Sequence, residues 1–261
     1  MIDSHCHFDF EAFDEQRESV LSQCVDAGVD GLIIPGVEPE QWFDLVALRD
    51  SYASNLCSLY IAAGVHPWWV ELLSISAIEL KQQLLDFIGR HPVVAIGECG
   101  LDGKRPLSVS EQIPFLEVQV EVAVEHQLPL ILHGYGAHNE LLQILGRYRP
   151  EAGGVIHGFS GSRQLAEQYW KLGFYIGVGG TITYERARKT RNAIKELPLE
   201  ALLLETDAPD MPLSGEQGLD NTPLNLPAIA SELAHIKGES LDTVVRQIAL
   251  NTRQLFRISP N

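Results

Sequence analysis

Two histidines one residue apart, His5 and His7, close the first apolar run of the chain, Ile2–His7. Read as a β-strand, that run points alternate side chains to one side, so both imidazoles aim at one point while Cys6 faces away. Two imidazoles converging at a strand end can hold a divalent metal ion. Groups of the same chemistry recur at the ends of later apolar runs. They are His66 in Gly64-Val65-His66-Pro67, Glu98 in Gly97-Glu98-Cys99-Gly100-Leu101-Asp102, His133, His157, and Asp207 in Glu205-Thr206-Asp207. A lone carboxylate such as Glu98 is costly to bury in so apolar a strand, and a cation beside it removes that cost.

The elements that must position these groups follow a regular alternation. Strand-like runs cover Ile2–His7, Gly31–Gly36, Leu59–His66, Val93–Gly100, Leu128–Gly134, Gly154–Phe159, Phe174–Gly180 and Leu202–Asp207. Several are apolar on consecutive residues, as expected of parallel strands covered on both faces. Between them, helical spacing predicts Glu11–Ala27, Pro39–Tyr52, Ser76–Arg90, Ser110–His126, His138–Arg147, Ser162–Leu172 and Tyr184–Leu197, with Leu226–Ile236 and Leu241–Phe256 after the eighth strand. Gly28 and Ser76 supply a helix stop and a helix cap.

Strand–helix alternation without a break in composition points to an α/β fold, a (β/α)8 TIM barrel formed as one domain over residues 1–261. The rival is an open doubly wound sheet with a different strand order. In a barrel, catalytic residues gather at the C-terminal ends of the strands, where these six histidines and carboxylates and His66 fall. Glu205 shares the facing of Asp207 and is expected to support the site. His91, His126, His138 and His235 fall elsewhere and read as surface or helix-end residues, while Cys6 and Cys99 read as packing residues. The Gly- and Pro-rich stretch Ala208–Pro223 reads as a long loop.

Hydrophobic residues make up 45% of the chain, enough for a large core, and no run is long enough to suggest a membrane span. The N-terminus shows no basic region before an apolar run, and the four cysteines are scattered, so a cytoplasmic protein with reduced thiols is expected. The formal charge of −16 disfavours nonspecific binding of a long polyanion. Metal ions can still supply positive charge locally at a nucleic-acid end.

Asp3-Ser4-His5-Cys6-His7, Gly64-Val65-His66-Pro67, Gly97 to Asp102, Leu128 to His133, His157-Gly158-Phe159-Ser160-Gly161-Ser162 and Glu205-Thr206-Asp207-Ala208-Pro209 resemble the TatD family, metal-dependent deoxyribonucleases and related hydrolases of the amidohydrolase superfamily. The resemblance extends from the first strand to Asn251-Thr252 and Leu255-Phe256. It implies a site for two divalent metal ions, with His5, His7 and Asp207 on one, His133 and His157 on the other, and Glu98 bridging. Such a mixed shell suits Zn, Mn or Fe, with Mg a less natural guest. On this reading Asp207 also takes the proton of the attacking water and His66 touches a substrate phosphate, a plain hydrogen bond at the strand terminus being the alternative for His66.

Two departures stand out. Where the family commonly has an arginine shortly after the strand-five histidine, this chain has Gly134-Tyr135. Where the family has a basic stretch after the strand-eight aspartate, Gln217 to Pro223 carries neither Lys nor Arg. Tyr135 is read as stacking on a base or ring of the substrate, with plain packing as the alternative. The leading expectation is a phosphodiesterase acting on DNA ends or short oligonucleotides. The alternatives are a two-metal hydrolase of a small amide, ester or lactone, and a metal-binding barrel without turnover. Neither a membrane nor an obligate protein partner is expected.

Overall fold

The computed structural model describes residues 1–53 and 57–259. Its strands are β1 (Ile2–Asp3), β2 (Gly31–Ile34), β3 (Ser58–Ala63), β4 (Ala95–Asp102), β5 (Leu130–Tyr135), β6 (Gly154–Ile156), β7 (Phe174–Val178) and β8 (Leu202–Leu204). The helices are α1 (Arg17–Asp26), α2 (Gln41–Ser51), α3 (Pro67–Val70), α4 (Ala77–Ile88), α5 (Val109–His126), α6 (His138–Tyr148), α7 (Arg163–Lys171), α8 (Arg188–Glu196), α9 (Leu226–Lys237) and α10 (Leu241–Phe256). All seven ladders between consecutive strands are parallel, and the strands lie side by side in chain order. That order is the barrel order and excludes the doubly wound sheet.

The seam between β8 and β1 closes just beyond the strands. The Ser4 N–H donates to the Leu204 carbonyl (3.0 Å), and the Asp207 N–H to the His5 carbonyl (2.8 Å). The buried Asp3 carboxylate completes the clasp, accepting from the Thr206 N–H (3.0 Å), the Thr206 hydroxyl (2.6 Å) and the His5 N–H (3.2 Å).

Two apolar clusters follow from the alternation of strand side chains. One side of each strand packs on the helices, through Leu32, Ile61, Leu132 and Ile176 among others. The other side fills the barrel with Ile2, Ile33, Ala62, Ile131, Val155 and Leu203, plugged by Leu255, Phe256 and Ile258 at the end of α10. Asn251 fastens that helix to the barrel, its amide donating to the Leu199 (2.8 Å) and Leu202 (2.9 Å) carbonyls.

Element boundaries differ from the sequence reading in several places, β6 and β8 among them, which end at Ile156 and Leu204, before His157 and Asp207. His5 and His7 lie past the end of β1 rather than in it. The stretch read as one helix over Glu11–Ala27 is a 3-10 turn, Glu11–Phe13, followed by α1. The break is held by Arg17, whose guanidinium donates to the Phe8 (3.1 Å) and Asp9 (2.7 Å) carbonyls. The short helix α3 follows His66, whose Nδ1 accepts from the Trp68 N–H (3.1 Å) as its cap.

Candidate metal centre

Glu98 lies near the middle of β4 with 2% of its surface exposed, and imidazoles surround its carboxylate. Its Oε2 is 3.2 Å from His5 Nε2 and 3.6 Å from His7 Nε2. Its Oε1 is 2.8 Å from His157 Nε2, 3.2 Å from His66 Nε2 and 3.3 Å from His133 Nδ1. Asp207 Oδ1 approaches the first group, 3.4 Å from His5 Nε2 and 3.7 Å from His7 Nε2. All the metal-ligand candidates named from the sequence therefore meet at one place, with His66 among them.

Neighbouring elements aim these side chains. Helix α5 carries two buried glutamines two turns apart. Gln119 grips the backbone of Val65, before His66, accepting from its N–H (2.7 Å) and donating to its carbonyl (3.2 Å). Gln112 grips Asp102 in the same way, at 2.8 and 2.9 Å. Asp102 in turn accepts from the Trp68 indole (2.7 Å) and the Lys104 N–H (2.8 Å), and its Oδ2 lies 3.3 Å from His133 Nε2. Glu205 is fully buried behind the site, accepting from the Gly158 N–H (2.5 Å). Gly177 makes room for it, since a Cβ there would strike the Glu205 carboxylate.

Hydrogen-bond partners assign the imidazole tautomers. His66 Nδ1 accepts a backbone N–H, so in the neutral ring the proton sits on Nε2, which is a donor. His133 stands between two acceptor-only carboxylates, Asp102 at Nε2 and Glu98 at Nδ1; burial opposes its charge, but the hydrogen bonds to Asp102 and Glu98 outweigh it and raise the ring above the ordinary imidazole range. Burial alone would raise the Glu98 carboxyl, but His157, His66 and His5 hold it well below the usual carboxylate range. Burial lowers His5 and His66 and takes His7 down to about 4, which leaves neutral rings at pH 7. Burial also opposes charge on His157, yet Glu98 and then Asp207 outweigh it and push its pKa up to about 10. Asp207 is raised well above the usual range by burial.

The donor spacing fits bound cations. Tetrahedral zinc with nitrogen ligands at about 2.0–2.1 Å places ligand atoms roughly 3.3–3.4 Å apart. His5 Nε2 and His7 Nε2 are 3.3 Å apart, and their contacts to Glu98 and Asp207 span 3.2–3.7 Å. Glu98 Oε1 has no aligned hydrogen-bond donor although His157 Nε2 and His133 Nδ1 approach it, as expected when these atoms point at a shared centre. Overlapping trios within ligating distance are His5, His7 and Glu98; His5, His157 and Asp207; and His66, Glu98 and His133. The second trio joins His157 to His5 and Asp207, whereas the family resemblance pairs it with His133.

The centre opens into a cavity of about 330 Å³. Phe10, Trp68, Trp69 and Met211 form its apolar walls, and Asp210 adds a carboxylate; among the described residues no Lys or Arg lines it. Tyr135, read from the sequence as a substrate contact, is 55% exposed at the outer end of β5 and is not among the lining residues. Sequence reasoning assigned no role to Asp102, Trp68, Trp69 or Phe10. The adjacency of Trp68-Trp69 to His66-Pro67 was the available signal for the tryptophans.

Comparison with known proteins agrees with this architecture. The chain is 43% identical over 261 residues to the uncharacterized metal-dependent hydrolase YjjV of Escherichia coli K12, covering 98% of each. It is 34% identical to a protein of Pantoea sp. At-9b named 3'-5' ssDNA/RNA exonuclease TatD, covering 99% of this chain and 100% of that one. The crystal structure of YjjV, described as a TatD homolog, superposes with a TM-score of 0.91 at 41% identity, over 99% of this chain and 98% of that one. The family model described as TatD related DNase matches residues 2–257, and the chain belongs to that family.

Proposed function

We propose that this protein is a metal-dependent phosphodiesterase that removes nucleotides from the ends of single-stranded nucleic acid or from short oligonucleotides. The carrying observation is the pair of donor groups that share the two oxygens of Glu98, a carboxylate that one imidazole could not replace as a bridge. In this reading His5, His7 and Asp207 would hold one divalent ion and His133 and His157 the other, with Glu98 between the two groups. When bound, such ions polarise a phosphoryl oxygen and acidify the attacking water. Zn, Mn or Fe suits this nitrogen-rich shell better than Mg.

The chain's own groups do the rest. Asp207, whose Oδ1 lies 3.4 Å from His5 Nε2, accepts the proton of the attacking water. His66 donates from Nε2 to a non-bridging phosphate oxygen, the role its cap bond to Trp68 leaves open. Trp68 and Trp69 present ring surface to a terminal base. Tyr135 stands beyond the cavity rim, where it can meet only the part of a substrate that leaves the site. The cysteines described are all buried and free, consistent with a reducing compartment, and we assign the chain to the cytoplasm on that basis. Among the described residues no helix is long and apolar enough to cross a membrane.

A second reading, hydrolysis of a small ester, amide or lactone, is favoured by the lack of a cation in the cavity wall. The full donor set speaks against an inert barrel. The deciding experiment gives metal-loaded protein single-stranded DNA and compares it with Glu98→Ala. Stepwise release of nucleotides, lost in the variant, is expected. No cleavage by loaded wild type, or equal cleavage by both, overturns the reading, and turnover of small esters alone selects the second.

A further inference from the structure

The chain carries a formal charge of −16, yet one segment runs against that total. Tyr184-Glu185-Arg186-Ala187-Arg188-Lys189-Thr190-Arg191 leads from the 3-10 turn Gly180–Thr183 after β7 into α8, at the barrel end where Asp207 and His157 emerge. Arg191 is committed to the fold, donating to Glu232 and to the Ile182 carbonyl. Arg186, Arg188 and Lys189 are exposed, and among the described residues none of them forms a salt bridge. Glu185, the acidic residue among them, is exposed and pairs with none of the three. Arg188 and Lys189 occupy the first turn of α8, where the helix dipole disfavours cations, so helix stability does not account for them.

Beside this segment lies a second cavity, of about 350 Å³, lined by Thr181, Tyr184, Arg186, Ala187, Met211 and Pro212. The Tyr184 hydroxyl is tied to the Pro212 carbonyl (2.8 Å), and the Arg186 guanidinium lies 4.8 Å above the Tyr184 ring. Met211 also lines the cavity over Glu98, so the two hollows share a wall.

We propose that this second cavity and the cations around it are an outward subsite for the phosphodiester backbone of a single-stranded nucleic acid whose end is seated over Glu98. The inference rests on the phosphodiesterase reading above. The Arg186 guanidinium, backed by the Tyr184 ring at 4.8 Å, offers a stacking platform for a base, and the exposed Arg188 and Lys189, two and three residues further along the chain, add charge for the phosphates that follow. The segment supplies from the seventh βα loop the positive charge that Gly134-Tyr135 and residues 217–223 do not. A small uncharged ester would use none of it.

The test is binding of a labelled phosphorothioate oligonucleotide of about twelve nucleotides, within the usual site sizes for single strands, to metal-loaded full-length protein. Fluorescence anisotropy is followed across a salt series for wild type, the triple variant Arg186→Ala/Arg188→Ala/Lys189→Ala, and Arg147→Ala as a remote control. Single-strand binding loses about 0.7 in the slope of log K against log salt for each contact removed, so the triple variant is expected to flatten the slope by roughly 2 and to weaken binding on the order of 10–100-fold near 0.1 M salt. The control keeps the wild-type slope, and replacing the two arginines by lysine (Arg186→Lys/Arg188→Lys) keeps most of it. DNA and RNA oligomers should lose alike, because phosphates are read; a loss confined to one of them contradicts backbone recognition. Wild type that cleaves the unmodified oligomer, with a triple variant of unchanged slope and affinity, overturns the subsite alone. Wild type that neither cleaves nor binds overturns the phosphodiesterase reading and the subsite with it.

Discussion

Asp102 offers the sharpest local test of how the site is held. Its carboxylate accepts from the Trp68 indole at 2.7 Å and the Lys104 N–H at 2.8 Å, and its Oδ2 sits 3.3 Å from His133 Nε2. Burial would raise this carboxyl, yet the His133 and Trp68 hydrogen bonds keep it well below the usual range, so it stays an acceptor at every working pH. It thereby holds a proton on His133 Nε2, so that a cation beside Glu98 would meet Nδ1. Asp102→Ala removes that constraint without touching a proposed ligand. Carboxylate partners of this kind typically contribute 10–100-fold to metal affinity, equivalent to about 1.4–2.7 kcal/mol. Titration of metal-free protein against a chromophoric chelator should show one of two binding steps loosened by that factor, the other step nearly unchanged, and Asp102→Asn intermediate. Two binding steps equal to wild type in Asp102→Ala would refute the argument.

Three further outcomes follow from the geometry. The proton on His157 is held to about pH 10, above the ordinary imidazole value of 6.5. Its contribution to the stability of chelator-treated protein is therefore complete below pH 6.5 and is lost as pH climbs toward 10. Melting of the metal-free chain should weaken over that window, and ion uptake at neutral pH should release at least one proton, read by calorimetry in buffers of different ionisation heat. Absence of proton release contradicts the placement of an ion at His157. Trp69→Ala should raise KM for single-stranded DNA at least about fivefold with little change in kcat, since base stacking contributes roughly 1–3 kcal/mol; an unchanged KM removes Trp69 from the substrate path. Asp3→Ala leaves the buried Thr206 and His5 N–H groups without an acceptor at the barrel seam, and should cost about 2–5 kcal/mol of stability by thermal or denaturant unfolding, with Asp3→Asn milder.

Much of the centre was legible because parallel barrels collect strand ends, so residues as distant as His5 and Asp207 could be assigned to one mouth from the alternation alone. What escaped depends on tertiary contacts with no local signature. Gln112 and Gln119 look like ordinary polar positions of α5 until the ends of β3 and β4 are seen to need partners for their backbone. The break before α1 comes from Arg17 folding back on the carbonyls of residues 8 and 9, which periodicity does not register. Tyr135 follows His133 on the same side of β5, but the strand runs on past the cavity rim, so equal facing did not mean equal depth. Arg186 reads only as helix in the sequence, and that it lines a second cavity sharing Met211 with the first is visible only in the fold.

The central claim is that one carboxylate, Glu98, joins two cation sites. Anomalous diffraction from crystals soaked in manganese tests it most directly. The account predicts two peaks flanking Glu98, one against His5, His7 and Asp207 and the other against His133 and His157. A single peak, or peaks that leave Glu98 untouched, would contradict it.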